Sequence, residues 1–248
     1  MTAPPKRIRA LVTQKATAQN RPEQEIAGYR DVLSNIHANT MDIPFTANVV
    51  LQLHRDLYRF LPGEGGHWKP VDNEITETGP GGVKAVRFRP VPAHATPDAM
   101  RRLHERFDAL WRIGEIEPLV LIAGYVLDFL CIHPFRDGNG RMARLLTLLL
   151  LYQSGYEVGR YISLEQIVER TKESYYDTLY RSSAGWHDGH HDLMPWTEYL
   201  LGVVVLGAYQ PTFGSRHGKC ALSTGFIRDF SGPTVHPMGE RTFWHKTS

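Results

Sequence analysis

Cysteine is nearly absent from this chain of 248 residues, with Cys131 and Cys220 the only two. Two thiols cannot build a disulfide framework, and no basic-then-apolar leader pattern precedes Lys6–Ala10, so a reducing cytoplasm is the expected setting. Long apolar runs are missing too. The most apolar stretches, Leu119–Leu127 and Leu145–Tyr152, fall well short of the roughly 20 residues that cross a bilayer. Both are expected to be buried helices, with no membrane partner. Nor does one sign of charge dominate: 28 Lys+Arg stand against 26 Asp+Glu, a formal +2. Any anion site must therefore be local, because the bulk charge selects neither nucleic acid nor membrane. Internal repeats are also lacking.

What remains is a composition with 42% hydrophobic residues, ordinary for a globular protein with a buried core. Residues 1–21, with Pro4, Pro5 and basic side chains around Ile8, Leu11 and Val12, are expected to be a frayed lead-in. Ile26, Tyr29, Val32, Leu33 and Ile36 recur at helical spacing, which predicts a helix over 22–37 with Glu23 and Glu25 at its positive end. A second stripe, Val49, Val50, Leu53, Leu57 and Phe60, ends before Pro62-Gly63.

The character changes over residues 61–97, where Pro and Gly punctuate short alternating segments. Ile75, Thr76, Glu77 and Thr78 precede Gly79-Pro80-Gly81-Gly82, and Val83–Phe88 alternates with period two. That pattern predicts a β-hairpin over 74–88. Two strands alone are marginal in water, so the hairpin must lean on a helical body or accept an incoming strand. Helical patterning returns at Asp98, then over 117–130, 141–153, 163–182 and 195–209. Beyond Pro211 sustained periodicity is lost, so residues 210–248 are expected to form an irregular tail. The fold class expected is an all-α bundle with one small hairpin.

Between the two most apolar helices lies His133-Pro134-Phe135-Arg136-Asp137-Gly138-Asn139-Gly140-Arg141, followed by Arg144. Pro134 disfavours helical geometry at His133, which should leave the imidazole at a helix end. Gly138 and Gly140 permit strained backbone, so successive N–H groups can turn inward as an anion nest. The nest leads into a helix N-terminus, where unpaired N–H groups and the dipole favour phosphate. Arg141 and Arg144, three apart, reach along one side of the first turn. Asp137 adds a carboxylate suited to a magnesium ion that keeps most of its ligands from water and phosphate. A neutral His133 can accept the proton of an attacking hydroxyl.

These residues resemble the signature of the Fic family, and the likeness extends over residues 22–209. It implies a helical Fic fold whose β-hairpin forms a flap. The activity implied is transfer of AMP from ATP, with Mg2+, to a Ser, Thr or Tyr hydroxyl of a target protein, pyrophosphate leaving. Under this resemblance His133 is the general base and Asp137 holds Mg2+. Asn139 and the backbone of Gly138 and Gly140 grip phosphate, Arg141 and Arg144 neutralise the β- and γ-phosphates, and Phe135 anchors the loop. Tyr176 matches a position lining the adenine pocket. The flap, with Ile75, Thr76, Glu77, Val86 and Arg87, would pair with an extended target segment. Gly140 resembles the AMP-transferring members, although other nucleotide-containing donors, removal of AMP, and a non-catalytic nucleotide-sensing role stand as alternatives.

Self-inhibited relatives carry Ser or Thr, three residues, then Glu followed by Gly or Asn. The only Glu followed by Gly or Asn here is Glu64, and Phe60 stands four before it. Arg144 is therefore expected to be unrestrained within the chain. Inhibition by a separate partner, a chain that starts after the inhibitory helix, or an unrestrained enzyme would account for that, the second being favoured; a homo-oligomer stands open as a partner. The tail does not resemble a winged helix, so DNA binding is not expected. His187, Asp188, His190, His191 and Asp192 are zinc-ligand types, yet a polar loop between helices is the more economical reading. Cys131, at the end of an apolar helix, is expected to be a core thiol.

Overall fold

The computed structural model describes residues 5–61, 63, 65–78, 84–160, 163–209 and 242–246. They form nine α-helices and three short strands. By contact the chain divides into two compact units, one of Met1–Gly66, Arg144–Arg170 and Gly202–Gly232, the other of His67–Ala143, Thr171–Leu201 and Pro233–Ser248.

In the first unit, α1 (Pro5–Val12), α2 (Arg21–Asn39) and α3 (Ala47–Leu57) are followed by most of α6 (Asn139–Gln153) and by α7 (Leu164–Arg170). Helix α2 starts where the Asn20 side chain accepts from Glu23 N, satisfying one of the orphan donors of the first turn. Its apolar stripe buries Ile26, Tyr29, Val32, Leu33 and Ile36. Thr46 caps α3 in the same way through Val49 N. The two helices pack at Gly28, where a Cβ would lie 2.0 Å from Leu57 O, so only glycine permits the approach.

The lead-in segment is not frayed. Helix α1 buries Leu11 and sends Arg7 to Glu23, with Nε and a terminal nitrogen each 2.9 Å from a carboxylate oxygen. This bidentate pair holds the Glu23 carboxyl below its usual range. Long-range burial and a charge pair offset what the local pattern lacked.

The second unit contains β1 (Ile75–Thr78), β2 (Lys84–Phe88), α4 (Thr96–Ile113), α5 (Pro118–Ile132), the first residues of α6, α8 (Lys172–Ser183), the start of α9 (Met194–Tyr209), and β3 (Thr242–Lys246). Helix α5 is apolar on nearly all sides and is buried accordingly. It packs on α4 and α8, and Trp196 Nε1 donates to Ala123 O at 3.0 Å.

Two expectations are corrected here. The helix predicted over 163–182 is broken at Thr171, whose φ of −113° and ψ of 28° leave the helical region. Its hydroxyl shares a 2.8 Å hydrogen bond with Tyr199. The tail is also not irregular throughout: β3 pairs antiparallel with β1, giving the strand order β2-β1-β3. A sequence of Thr, Phe, Trp, His and Lys suits a strand, and a third strand answers the marginal stability of a lone hairpin. The rest of the tail and the hairpin turn at 79–83 lie outside the described residues.

Candidate functional site

His133 caps α5 in a left-handed conformation, φ 51° and ψ 59°, and its N–H donates to Phe129 O. Pro134 follows and stops the helix, as anticipated. The His133 Nδ1 lies 3.3 Å from Leu130 O. A carbonyl can only accept, so this contact places the proton on Nδ1, and the neutral ring carries its lone pair at Nε2. That nitrogen is the one able to receive a proton.

The loop after His133 is folded by its own side chains. Phe135 is fully buried and stacks on Trp68, with centroids 5.3 Å apart. Asn139 accepts from Phe135 N at 2.9 Å and donates to Phe135 O at 2.8 Å. Its side-chain amide thus pins the loop, and the residue is buried. Gly138, at φ 82°, turns the chain so that its carbonyl accepts from Met142 N at 2.8 Å. Its N–H meets Asp137 Oδ1 at 2.7 Å. Helix α6 then begins at Asn139, so the first-turn amides, Gly140 and Arg141 among them, form the kind of donor set that receives phosphate.

Arg141 lies 3.7 Å from Asp137 Oδ2 and is largely shielded, while the Asp137 side chain is 52% exposed. An exposed carboxylate beside a helix N-terminus fits a magnesium ion that takes its remaining ligands from water and phosphate oxygens. Among the described residues no group of three His, Cys, Asp or Glu gathers into a cage. His187, from the loop considered as a zinc candidate, has its Nε2 2.7 Å from Arg89 O. Cys131 is buried, and burial pushes its thiol well above the ordinary range.

Lys69 and Asn73, which local sequence pattern did not single out, hold the same loop from the segment before β1. The Lys69 N–H donates to Pro134 O at 2.8 Å. Its ammonium donates to Ile132 O at 3.1 Å and Asn73 Oδ1 at 2.9 Å, and Asn73 Nδ2 donates to Phe135 O at 3.2 Å.

Arg144 is not unrestrained. In the first unit it hydrogen-bonds with Tyr29 of α2, whose hydroxyl donates to Glu165 of α7. Ser163 also donates to Glu165, at 3.1 Å. Burial, then the Glu165 charge, push the Tyr29 phenol well above its usual range, with Arg144 opposing. A partner of Arg144 is thus a phenol, which the inhibitory-helix pattern does not describe.

The flap is present, but its side chains divide. Ile75 and Thr76 are buried, and β1 has strands on both edges, so β2 is an edge strand of the sheet. Arg87 pairs with Glu77 at 2.9 Å and lies 3.7 Å over the Tyr180 ring; Val86 is exposed. Between β2 and the end of α8 lies a cleft of about 370 Å³ lined by Val86, Arg87, Phe88, Tyr180, Ser183 and Trp186. Tyr176 does not line this cleft; its ring meets Tyr175 at 5.1 Å. It does stand on the helical face of Tyr180 and Ser183, at i, i+4 and i+7. Among the described residues no helix is long and apolar enough to cross a membrane.

A mostly helical body, a hairpin and a phosphate-type loop entering a helix define a class, and known proteins of similar sequence and fold can be set beside it. Residues 44–151 match the model of the Fic/DOC family, so that segment is similar to a Fic domain. A Fic domain containing signaling protein from Bacteroides thetaiotaomicron has a similar structure, with a TM-score of 0.65, 22% identity, and coverage of 82% of this chain and 78% of that one. A Fic family protein from Desulfovibrio desulfuricans gives 0.61 and 24%, covering 80% and 56%. Fic-1 from C. elegans gives 0.62 and 20%, covering 82% and 56%. The chain thus spans just over half the length of the latter two. At these identities the likeness shows a shared fold.

Proposed function

We propose that this chain is a nucleotidyltransferase that moves AMP from ATP to a hydroxyl of a target protein. The observation that carries the reading is His133 with its Nδ1 anchored on Leu130 O, in the loop that leads into the N-terminus of α6 at Asn139. The target hydroxyl gives its proton to His133 Nε2 as its oxygen attacks the α-phosphorus. A new oxygen–phosphorus bond forms, the α–β bridging bond breaks, and pyrophosphate departs. A preorganised acceptor of this kind contributes about 10²–10⁴-fold.

The α6 amides and Arg141, with Arg144 one turn on, stabilise charge growing on the departing phosphates, an effect strongest in a water-poor site. Asp137 would hold Mg2+, which adds charge neutralisation on the leaving group when bound. The base of the nucleotide is assigned to the cleft between β2 and α8, whose Tyr180, on one face with Tyr176, offers a stacking surface. An extended segment of the target is assigned to the flap, where main-chain pairing would fix its register.

The test is transfer of label from α-labelled ATP to protein, with Mg2+, by wild type and His133→Ala. The expected loss in the variant is about 10²-fold or more. Equal labelling by both would overturn the assignment of His133 as base.

A further inference from the structure

We propose that Lys69 and Asn73 are positioning residues that hold His133 in its reactive backbone conformation and tie that conformation to the first flap strand.

His133 is a left-handed residue, at φ 51°, and an L side chain persists there only where the surroundings over-determine it. The next residue, Pro134, has no N–H with which to secure the turn. The turn is secured through its carbonyls instead. Those of Ile132, Pro134 and Phe135 receive Lys69 Nζ, Lys69 N–H and Asn73 Nδ2 respectively, at 3.1, 2.8 and 3.2 Å. Three donors from one five-residue segment thus bracket His133 on both sides.

A lysine that is 3% exposed is a costly way to fill space, since a buried ammonium must be matched by acceptors. Lys69 has such acceptors in Asn73 Oδ1 and in Ile132 O. Ile132 is the last residue of α5, and the negative end of a helix dipole favours a cation there. A hydrophobic residue could support packing at this place, but it could not clamp the carbonyl that precedes the base. Asn73 lies two residues before Ile75, the first residue of β1. Any movement passed to β1 when its edge neighbour β2 takes a target strand therefore reaches the loop through two side chains that already grip it. Neither residue needs to touch the nucleotide; both act through the backbone at 132–135.

The test uses the full chain with Lys69→Met and with the milder Asn73→Asp, which keeps an acceptor for Lys69 but removes the donor to Phe135 O. Hydrogen exchange of peptides covering 131–137 is compared with that of peptides covering 142–152. Exchange over 131–137 should rise by about tenfold in both variants while 142–152 keeps its protection, the mark of a local opening. In turnover the loss should fall on kcat, about tenfold or more, with KM for ATP changed less than about threefold, as misplacement of a reacting group predicts. Unchanged exchange over 131–137 in folded Asn73→Asp overturns the proposal, as does a loss confined to KM. The turnover arm rests on the transfer reading above, whereas the exchange arm does not. A wild-type chain that transfers nothing counts against that reading alone, and exchange then decides the role of Lys69 and Asn73.

Discussion

Tyr29, on α2, donates its hydroxyl to Glu165, on α7, across 136 residues of sequence. The same phenol hydrogen-bonds with Arg144, the second arginine of the motif helix. Removing the hydroxyl in Tyr29→Phe should loosen the arginine without disturbing His133. A single hydrogen bond is worth about 0.5–1.5 kcal/mol, or roughly 2–10-fold. Steady-state kinetics should show KM for ATP raised by that factor with kcat little changed; a kcat loss with KM kept would place Tyr29 in another role.

Asn139 folds the loop through both Phe135 backbone groups. In Asn139→Ala the buried Phe135 N–H loses its partner, at about 1–3 kcal/mol, and Phe135 O is left with Asn73 Nδ2. Transfer should fall by about 10²-fold, the scale of a misplaced reacting group. Far-ultraviolet circular dichroism should stay near wild type, because the clamp spans only the loop and the first residue of α6.

Gly28 lets α2 approach the end of α3, and a Cβ there would sit 2.0 Å from Leu57 O. The neighbour is backbone and cannot rotate away. Gly28→Ala should destabilise by about 1–3 kcal/mol, as overpacking does, and lower Tm by several degrees in a thermal melt. An unchanged Tm would mean that the two helices have room to shift.

His104 is buried beside the Tyr125 hydroxyl, 3.2 Å from its Nε2, and burial lowers its pKa to about 4. Its folded value is below the unfolded one, so between pH 6.5 and 4 the unfolded chain binds more protons and stability falls as pH falls. The loss from this group reaches about 3 kcal/mol at most. Urea unfolding at pH 7 and pH 4.5 should show a smaller decline in His104→Gln than in wild type. Equal declines would remove His104 as the source.

The motif was legible because its logic is local: a proline after the histidine, glycines at the turn, and arginines one helical turn apart. Helices α2 to α6 and α9 were legible because their apolar stripes are continuous over many residues. What escaped depends on distant partners. Leu11 and Arg7 order α1 only because α2 is there to receive them. Thr171 breaks a plausible long helix through its own backbone, and β3 exists through pairing with a strand far earlier in the chain. Lys69, an isolated cation in a stretch of Gly and Pro, carried no period or motif that would announce its bond to Ile132 O. The expected freedom of Arg144 failed for the same reason, since no local pattern announces Tyr29, which meets it through the fold.

The most direct measurement of the central claim sets α-labelled and γ-labelled ATP side by side, with Mg2+, wild-type chain and a protein extract as acceptor. Adenylyl transfer predicts label on protein from the α-position alone, since the γ-phosphate leaves within pyrophosphate. Label from the γ-position, or none from the α-position, would contradict it.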